Sequence, residues 1–339
     1  MNEDQETSQL DNELASLLKI AEKSLSAWGL QGELSLIKHR ENAVYRLQTE
    51  SGEKFALRVH RANYHSDASL ESELTWMRAL EEAGIGVPTP IPTQSGENFV
   101  TVSVDDLADS RQVDLLAWVN GEQIGSVEDG LGDDVALIEH IYGEIGRVAA
   151  KVHNQAVSWQ VPAGYERHAW DVDGLVGENP FWGPFWELQA LSEEQRELIL
   201  GAREKVKQGL VAFGQAAEDY SMIHADFVPE NFLVEGEKVS IIDFDDSGFG
   251  WHLFEIATAL YFIQSDPSYD VAKNALIQGY REFRPLSDEK LMYLPLFMAA
   301  RSFTYLGWIH TRSETETAAE MTPILIEMCC DAVNNYLHG

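Results

Sequence analysis

Apolar positions Leu14, Leu17, Leu18, Ala21 and Leu25 recur at spacings of three and four, which predicts a leading helix over residues 10–28 that Gly29 closes. The period then drops to two. Residues 33–38, 43–49 and 53–60 are rich in strand formers, and the turn Glu50-Ser51-Gly52 joins the last two. In the third strand Ala56, Arg58 and His60 share one face, and Phe55, Leu57 and Val59 share the other. Helical spacing returns over residues 66–83, where Leu70, Glu73, Met77 and Leu80 lie on one stripe. Glu73 thus falls on the packed face, where a carboxylate needs a partner. A proline-rich connector over residues 87–92 leads to two more strands, 98–104 and 111–119, separated by the acidic loop 105–110. The pattern describes a helical extension, residues 1–29, followed by a five-stranded lobe, residues 30–120.

From residue 121 onward the periodicity is mainly helical. Residues 133–153 carry Val135, Ile138, Ile141, Ile145, Val148 and Val152 along one side, and His153 stands where a C-terminal cap is expected. Further helices are predicted over 192–209, in a short apolar run before residue 223, and over 253–263, 271–280, 288–309 and 317–337. One hairpin interrupts them. Phe232-Leu233-Val234 and Val239-Ser240-Ile241-Ile242 read as strands, with Glu235-Gly236-Glu237-Lys238 as the turn. The expected class is α+β: a small antiparallel-sheet lobe with one helix, and a larger, mainly helical lobe over residues 121–339.

Composition narrows the functions open to such a chain. Of its 339 residues, 45% are apolar, enough for a sizeable core. The formal net charge of −32 repels phosphate backbones and anionic lipid, which argues against nucleic-acid and membrane partners. The polar, acidic start has the marks of no secretory signal, so the expected location is cytoplasmic. The only cysteines, Cys329 and Cys330, are adjacent and suit neither a disulfide framework nor a zinc site. Oligomeric state is not legible.

The hairpin carries the chemistry. Asn231 stands just before its first strand and Asp243 just after its second, so folding at the turn brings an amide oxygen and a carboxylate to one end, within about one residue of register. Two hard oxygens suit Mg²⁺, which takes its remaining ligands from water and phosphate. Asp226 lies five residues before Asn231 on a loop with Pro229, facing the same opening. Its carboxylate is a candidate base for the proton of an alcohol.

His224-Ala225-Asp226 followed by Pro229-Glu230-Asn231 matches the H-x-D-x-x-x-x-N catalytic loop, and Ile242-Asp243-Phe244 stands at the position of the D-F-G aspartate. With Ala225 in place of arginine and Asp243-Phe244-Asp245-Asp246 in place of D-F-G, the chain resembles the aminoglycoside phosphotransferase and homoserine kinase branch of the protein-kinase-like superfamily. The resemblance implies a two-lobed kinase fold and transfer of the γ-phosphoryl of Mg²⁺·ATP to the hydroxyl of a small molecule, an amino alcohol or hydroxy amino acid. A stress-type Ser/Thr protein kinase and a non-catalytic nucleotide-binding regulator are the competing readings.

The same resemblance assigns the nucleotide site. Ala56-x-Arg58 has the spacing of V-A-I-K with arginine for lysine, so Arg58 would contact phosphates and Glu73 would orient Arg58. The glycine-rich loop is replaced by Lys38-His39-Arg40-Glu41-Asn42-Ala43, leaving backbone N–H groups and Asn42 to hold phosphates. Leu115-Leu116-Ala117-Trp118 would be the hinge segment, with the Leu116 and Trp118 backbone facing adenine. Glu255 matches an acidic residue that steadies the catalytic loop. Trp170, Trp182, Trp186, Trp251 and Trp308 would form either core or an aromatic cage for an ammonium group. Arg301 and His310 could reach an acceptor, but solvent or cap positions are the expected ones.

Overall fold

A computed structural model describes residues 3–39, 42–126 and 130–339, with side chains from residue 11 onward. Two compact units divide it, one made of residues 1–120 and 161–166, the other of 121–160 and 167–339. No helix among the described residues is long and apolar enough to cross a membrane.

The first unit contains α1 (Glu3–Trp28), β1 (Gly32–His39), β2 (Ala43–Thr49), β3 (Lys54–Val59), α2 (Asp67–Glu82), β4 (Phe99–Val102) and β5 (Arg111–Ala117). Its sheet runs β1-β2-β3-β5-β4, antiparallel throughout. Alternation along β2 and β3 sends Tyr45, Leu47, Leu57 and Val59 into a core that also takes Leu17, Ile20, Ala21, Leu25 and Trp28 from α1. Among the described residues, the leading helix therefore supplies five of the thirteen buried residues of this core. Ser66 caps α2 by accepting from Ser69 N, and the helix buries Leu70, Glu73, Leu74, Trp76, Met77 and Leu80.

The second unit contains β6 (Glu122–Gln123), α3 (Val135–Ser158), β7 (Ala169–Trp170), α4 (Val172–Val176), α5 (Glu193–Phe213), β8 (Tyr220–Ile223), β9 (Phe232–Glu235), β10 (Lys238–Ile241), β11 (Gly248–Trp251), α6 (His252–Tyr261), α7 (Tyr269–Phe283), α8 (Asp288–Leu291), α9 (Leu294–Thr311) and α10 (Glu316–His338). Two small sheets, β10-β9-β6 and β7-β11-β8, flank the loops of interest. Helices α3 and α7 cross with their backbones in contact: a Cβ at Gly146 would collide with the Leu276 carbonyl, and one at Gly279 with the Gly143 carbonyl. Only hydrogen fits at this crossing.

Three expectations are corrected here. Helix α3 continues five residues past His153, which is a fully buried interior residue and caps nothing. The apolar run before residue 223 is the strand β8, held by pairing with β11 and too short for a helix with its own core face. Residues 288–309 are broken at Met292 and Tyr293, so α9 starts afresh with Pro295 in its first turn, where a missing N–H costs nothing.

Candidate active site

In the first unit, antiparallel pairing sets Arg58 of β3 directly opposite Asp114 of β5. The guanidinium forks onto that carboxylate, Nε to Oδ1 at 3.0 Å and Nη2 to Oδ2 at 2.6 Å. Its Nη1 meets Glu73 Oε1 of α2 at 2.8 Å, so the pair expected from the phase of α2 forms, with a second carboxylate added. His60 Nε2 lies 2.7 Å from Asp114 Oδ2. Burial pushes the Asp114 carboxyl up, but the charges of Arg58 and His60 and their hydrogen bonds outweigh it and hold the group at about 2.

The other expected nucleotide residues lie on this sheet or at the ends of its strands. Ala56 sits across the ladder from Leu116, which also bridges to Pro90. Trp118 is half-buried just beyond the end of β5. Asn42 is buried, and its Oδ1 accepts from the Arg61 backbone N–H, fixing the chain after β3. Arg40 and Glu41 lie outside the described residues.

In the second unit the hairpin forms at the expected turn, with Ile241 paired to Phe232 and Ile242 N donating to Asn231 O. Asn231 is therefore locked beside the residue that precedes Asp243. Its Nδ2 donates to Asp226 Oδ2 at 2.7 Å and to Asp226 O at 2.9 Å. Committing that nitrogen leaves the amide oxygen, a hard donor, for a cation. Asp243 presents an exposed carboxylate from left-handed backbone, with φ of 68°. The donor set, one amide oxygen and one carboxylate with no soft ligand, fits Mg²⁺.

Three buried groups hold the loop around Asp226. The Glu255 carboxylate accepts from His224 N at 2.9 Å and from Ala225 N at 2.6 Å, fastening a turn in which Ala225 has φ of 65°. His224 reaches the other way, its Nε2 donating to Ile242 O at 3.0 Å while Nδ1 accepts from Asp226 N at 3.3 Å. That tautomer is the neutral one, and burial lowers the affinity of the ring for a second proton. Behind Glu255 stands His153, its Nε2 3.6 Å from Oε1 and its ring stacked on His252 at 4.1 Å.

Arg301 is the third group. It is fully buried, contrary to the solvent or cap position expected, with Nη2 donating to Tyr305 Oη at 2.8 Å and lying 3.7 Å from Asp226 Oδ1. Its guanidinium packs over Tyr305, Trp182 and Phe254 at 4.3, 5.1 and 5.4 Å from the ring centroids. The aromatic box considered for an ammonium ligand thus encloses a residue of the chain in part. Trp170 and Trp251 are core, Trp186 stacks on Arg203, Trp308 faces Arg312, and His310 is half-buried. Burial pushes the Asp226 carboxyl up, Arg301 pulls it back, and the neighbouring Asp243 charge adds to the push.

Asp114 and Arg301 were missed in sequence, though each had a signal. Asp114 interrupts the apolar run Val113-Asp114-Leu115-Leu116, and Arg301 is the lone charge in a helix that is buried nearly all round. A charge in such a place needs a partner.

A loop of the kinase catalytic pattern beside the hairpin that carries Asn231 and Asp243, and separately an arginine-carboxylate cluster on a five-stranded sheet, define a phosphotransferase of the protein-kinase-like α+β class. Residues 33–286 match the model of the phosphotransferase enzyme family, and the chain belongs to that family. It is 22% identical over 299 residues to the amicoumacin kinase of Bacillus subtilis (strain 168), covering 85% of this chain and 83% of that one. It is 26% identical over 274 residues to the homoserine kinase of Parvibaculum lavamentivorans, covering 78% and 76%. Among solved structures, a microcompartment-associated aminopropanol kinase superposes with a TM-score of 0.83 at 28% identity, over 94% of this chain and 97% of that one. An amicoumacin kinase in complex with AMP-PNP, Ca²⁺ and Ami superposes at 0.73 with 19% identity, over 97% and 96%. The relatives are kinases, and the chain is an enzyme of that type.

Proposed function

We propose that this protein transfers the γ-phosphoryl of Mg²⁺·ATP to the hydroxyl of a small amino alcohol or hydroxy amino acid. The observation that carries the reading is the Asn231–Asp226 contact at the end of the hairpin that bears Asp243. Asp226 is the base: one carboxylate oxygen is held by Asn231 and the other faces Arg301, so the group is fixed in orientation, while about a quarter of the side chain stays exposed to receive a hydroxyl proton. Asn231 and Asp243 would hold Mg²⁺, which would supply neutralisation of phosphate charge. Arg58 contacts phosphates, Glu73 orients it, and Asn42, Ala56, Leu116 and Trp118 are the further nucleotide residues of the first unit.

The acceptor class is inferred from relatives whose names specify homoserine, aminopropanol and amicoumacin. All three are small molecules, so a protein acceptor is not favoured. The test is Mg²⁺-dependent ADP release with homoserine, hydroxylysine, an aminopropanol, ethanolamine, choline, an aminoglycoside and a generic protein, with Asp226→Asn as control. One soluble acceptor that raises turnover many-fold in the wild type only is the expected result. Turnover unaffected by Asp226→Asn, or stimulation by the protein alone, would overturn the assignment.

A further inference from the structure

Four consecutive carbonyls follow Asp243, and each is met by a side-chain donor from one short stretch, Arg167-His168-Ala169-Trp170. Arg167 Nε donates to Ser247 O at 2.6 Å, and its Nη2 donates to Asp245 O at 2.6 Å and to Phe244 O at 3.4 Å. The remaining carbonyl, Asp246 O, accepts from His168 Nε2 at 3.1 Å and from Trp170 Nε1 at 2.9 Å. The same stretch is zipped to the strand beyond the loop, since Phe249 N donates to His168 O and β7 pairs in parallel with β11. Gly248 permits that approach: a Cβ there would stand 2.7 Å from His168 O.

We propose that Arg167, with His168 and Trp170, is a positioning device for Asp243, setting the backbone from which the metal-binding carboxylate projects. This rests on the reading of Asp243 as a metal ligand. Left-handed backbone at a non-glycine residue persists only where the surroundings over-determine it. Asp243 has that backbone, and its carboxylate is exposed, whereas Phe244, Asp245, Ser247 and Arg167 are buried. The restraint therefore lies on both sides: Ile242, pinned by Asn231 and His224, precedes it, and the buried segment follows it, where carbonyls without donors would be costly. One planar fork spans three of the four, which a point-like ammonium cannot do.

The test is Mn²⁺ binding in the presence of ADP, read from the loss of the free Mn²⁺ resonance, for the wild type, Asp243→Asn, Arg167→Lys and Arg167→Met. Residues that orient a ligand typically change metal affinity by about 10–100-fold when replaced. Both Arg167 variants are expected to weaken Mn²⁺ by about 10-fold or more. The Mg²⁺ concentration for half-maximal ADP release should rise in parallel, KM for the acceptor should not move, and saturating Mn²⁺ should restore kcat. A merely structural role would lower thermal stability without that selective shift. If Arg167→Met does not fold, Arg167→Lys decides. Binding lost in Asp243→Asn but kept in the Arg167 variants overturns the positioning role alone; binding equal in wild type and Asp243→Asn overturns the metal reading and the positioning role with it.

Discussion

Replacing Asp114 with asparagine keeps the shape of the side chain and removes its charge from the cluster around Arg58. In the folded protein that carboxyl is held at about 2 against an ordinary 3.8. At about 1.4 kcal/mol per unit, the difference is worth about 2 kcal/mol. Because the folded carboxyl is the stronger acid, this contribution is complete above the unfolded value and disappears as pH falls through the folded one. Asparagine also removes one of the two carboxylates described on Arg58 and the charge facing His60, both in a buried site. Breaking a buried pair from one side costs about 3–5 kcal/mol, so Asp114→Asn should lose that much at pH 7. Urea unfolding of both proteins at pH 7, 5, 3.5 and 2.5 measures it. The gap should narrow on the acid side, between about pH 4 and pH 2, as the wild type loses what the variant never had. A gap below about 0.5 kcal/mol at pH 7, or one that stays flat to pH 2.5, would refute the assignment of Asp114 as the ionised partner of Arg58.

Asp226→Asn should lower kcat by about 10²–10⁴ with little change in the melting temperature, and a loss below tenfold would remove Asp226 as the base. Arg301→Met keeps the stem over the Trp182, Phe254 and Tyr305 rings while removing a buried guanidinium whose Nε and Nη1 have no hydrogen-bond partner among the described residues. The variant should unfold at the same or higher temperature yet turn over at least about tenfold more slowly, a separation that calorimetry and steady-state kinetics would expose. Glu255→Gln leaves one acceptor for two backbone N–H groups and should cost about 1–3 kcal/mol, read as a lower urea midpoint together with lower kcat.

Much of this site was legible because its signals are local. The strands of the hairpin are runs of β-branched and apolar residues around a turn, and the spacing from His224 to Asn231 and on to Asp243 lies within one stretch of chain. Glu73 was found by helix phase alone. Asp114 needed the register of β3 against β5, which sequence does not print. Arg301 comes from a helix that begins 68 residues after Asp226, and no periodicity links the two. The strands β7, β8 and β11 are two to four residues long, too short for alternation to declare itself. His153 was misplaced because the polar pair Asn154-Gln155 follows it, although Ala156 carries the buried stripe one turn past Val152. The acceptor stays unreadable for another reason: the catalytic loop says how a hydroxyl is deprotonated and nothing about the molecule that carries it.

The crossing of α3 and α7 at Gly143, Gly146 and Gly279 bears on how the protein breathes. With no side chains between them, the two helices cannot loosen by rotamer exchange, and separation exposes both backbones at once. His153, two turns past Gly146 on α3, and Tyr280, next to Gly279 on α7, are joined at 2.9 Å and tie the same pair together, and His153 adjoins Glu255 beneath the catalytic loop. Amide protons in the middle of α3 and α7 should therefore exchange with solvent only when the whole unit opens, while the outer helices exchange through local fraying. The loop that carries Asp226 then rests on the slowest-exchanging part of the chain, and its motions during turnover are small movements on a still foundation.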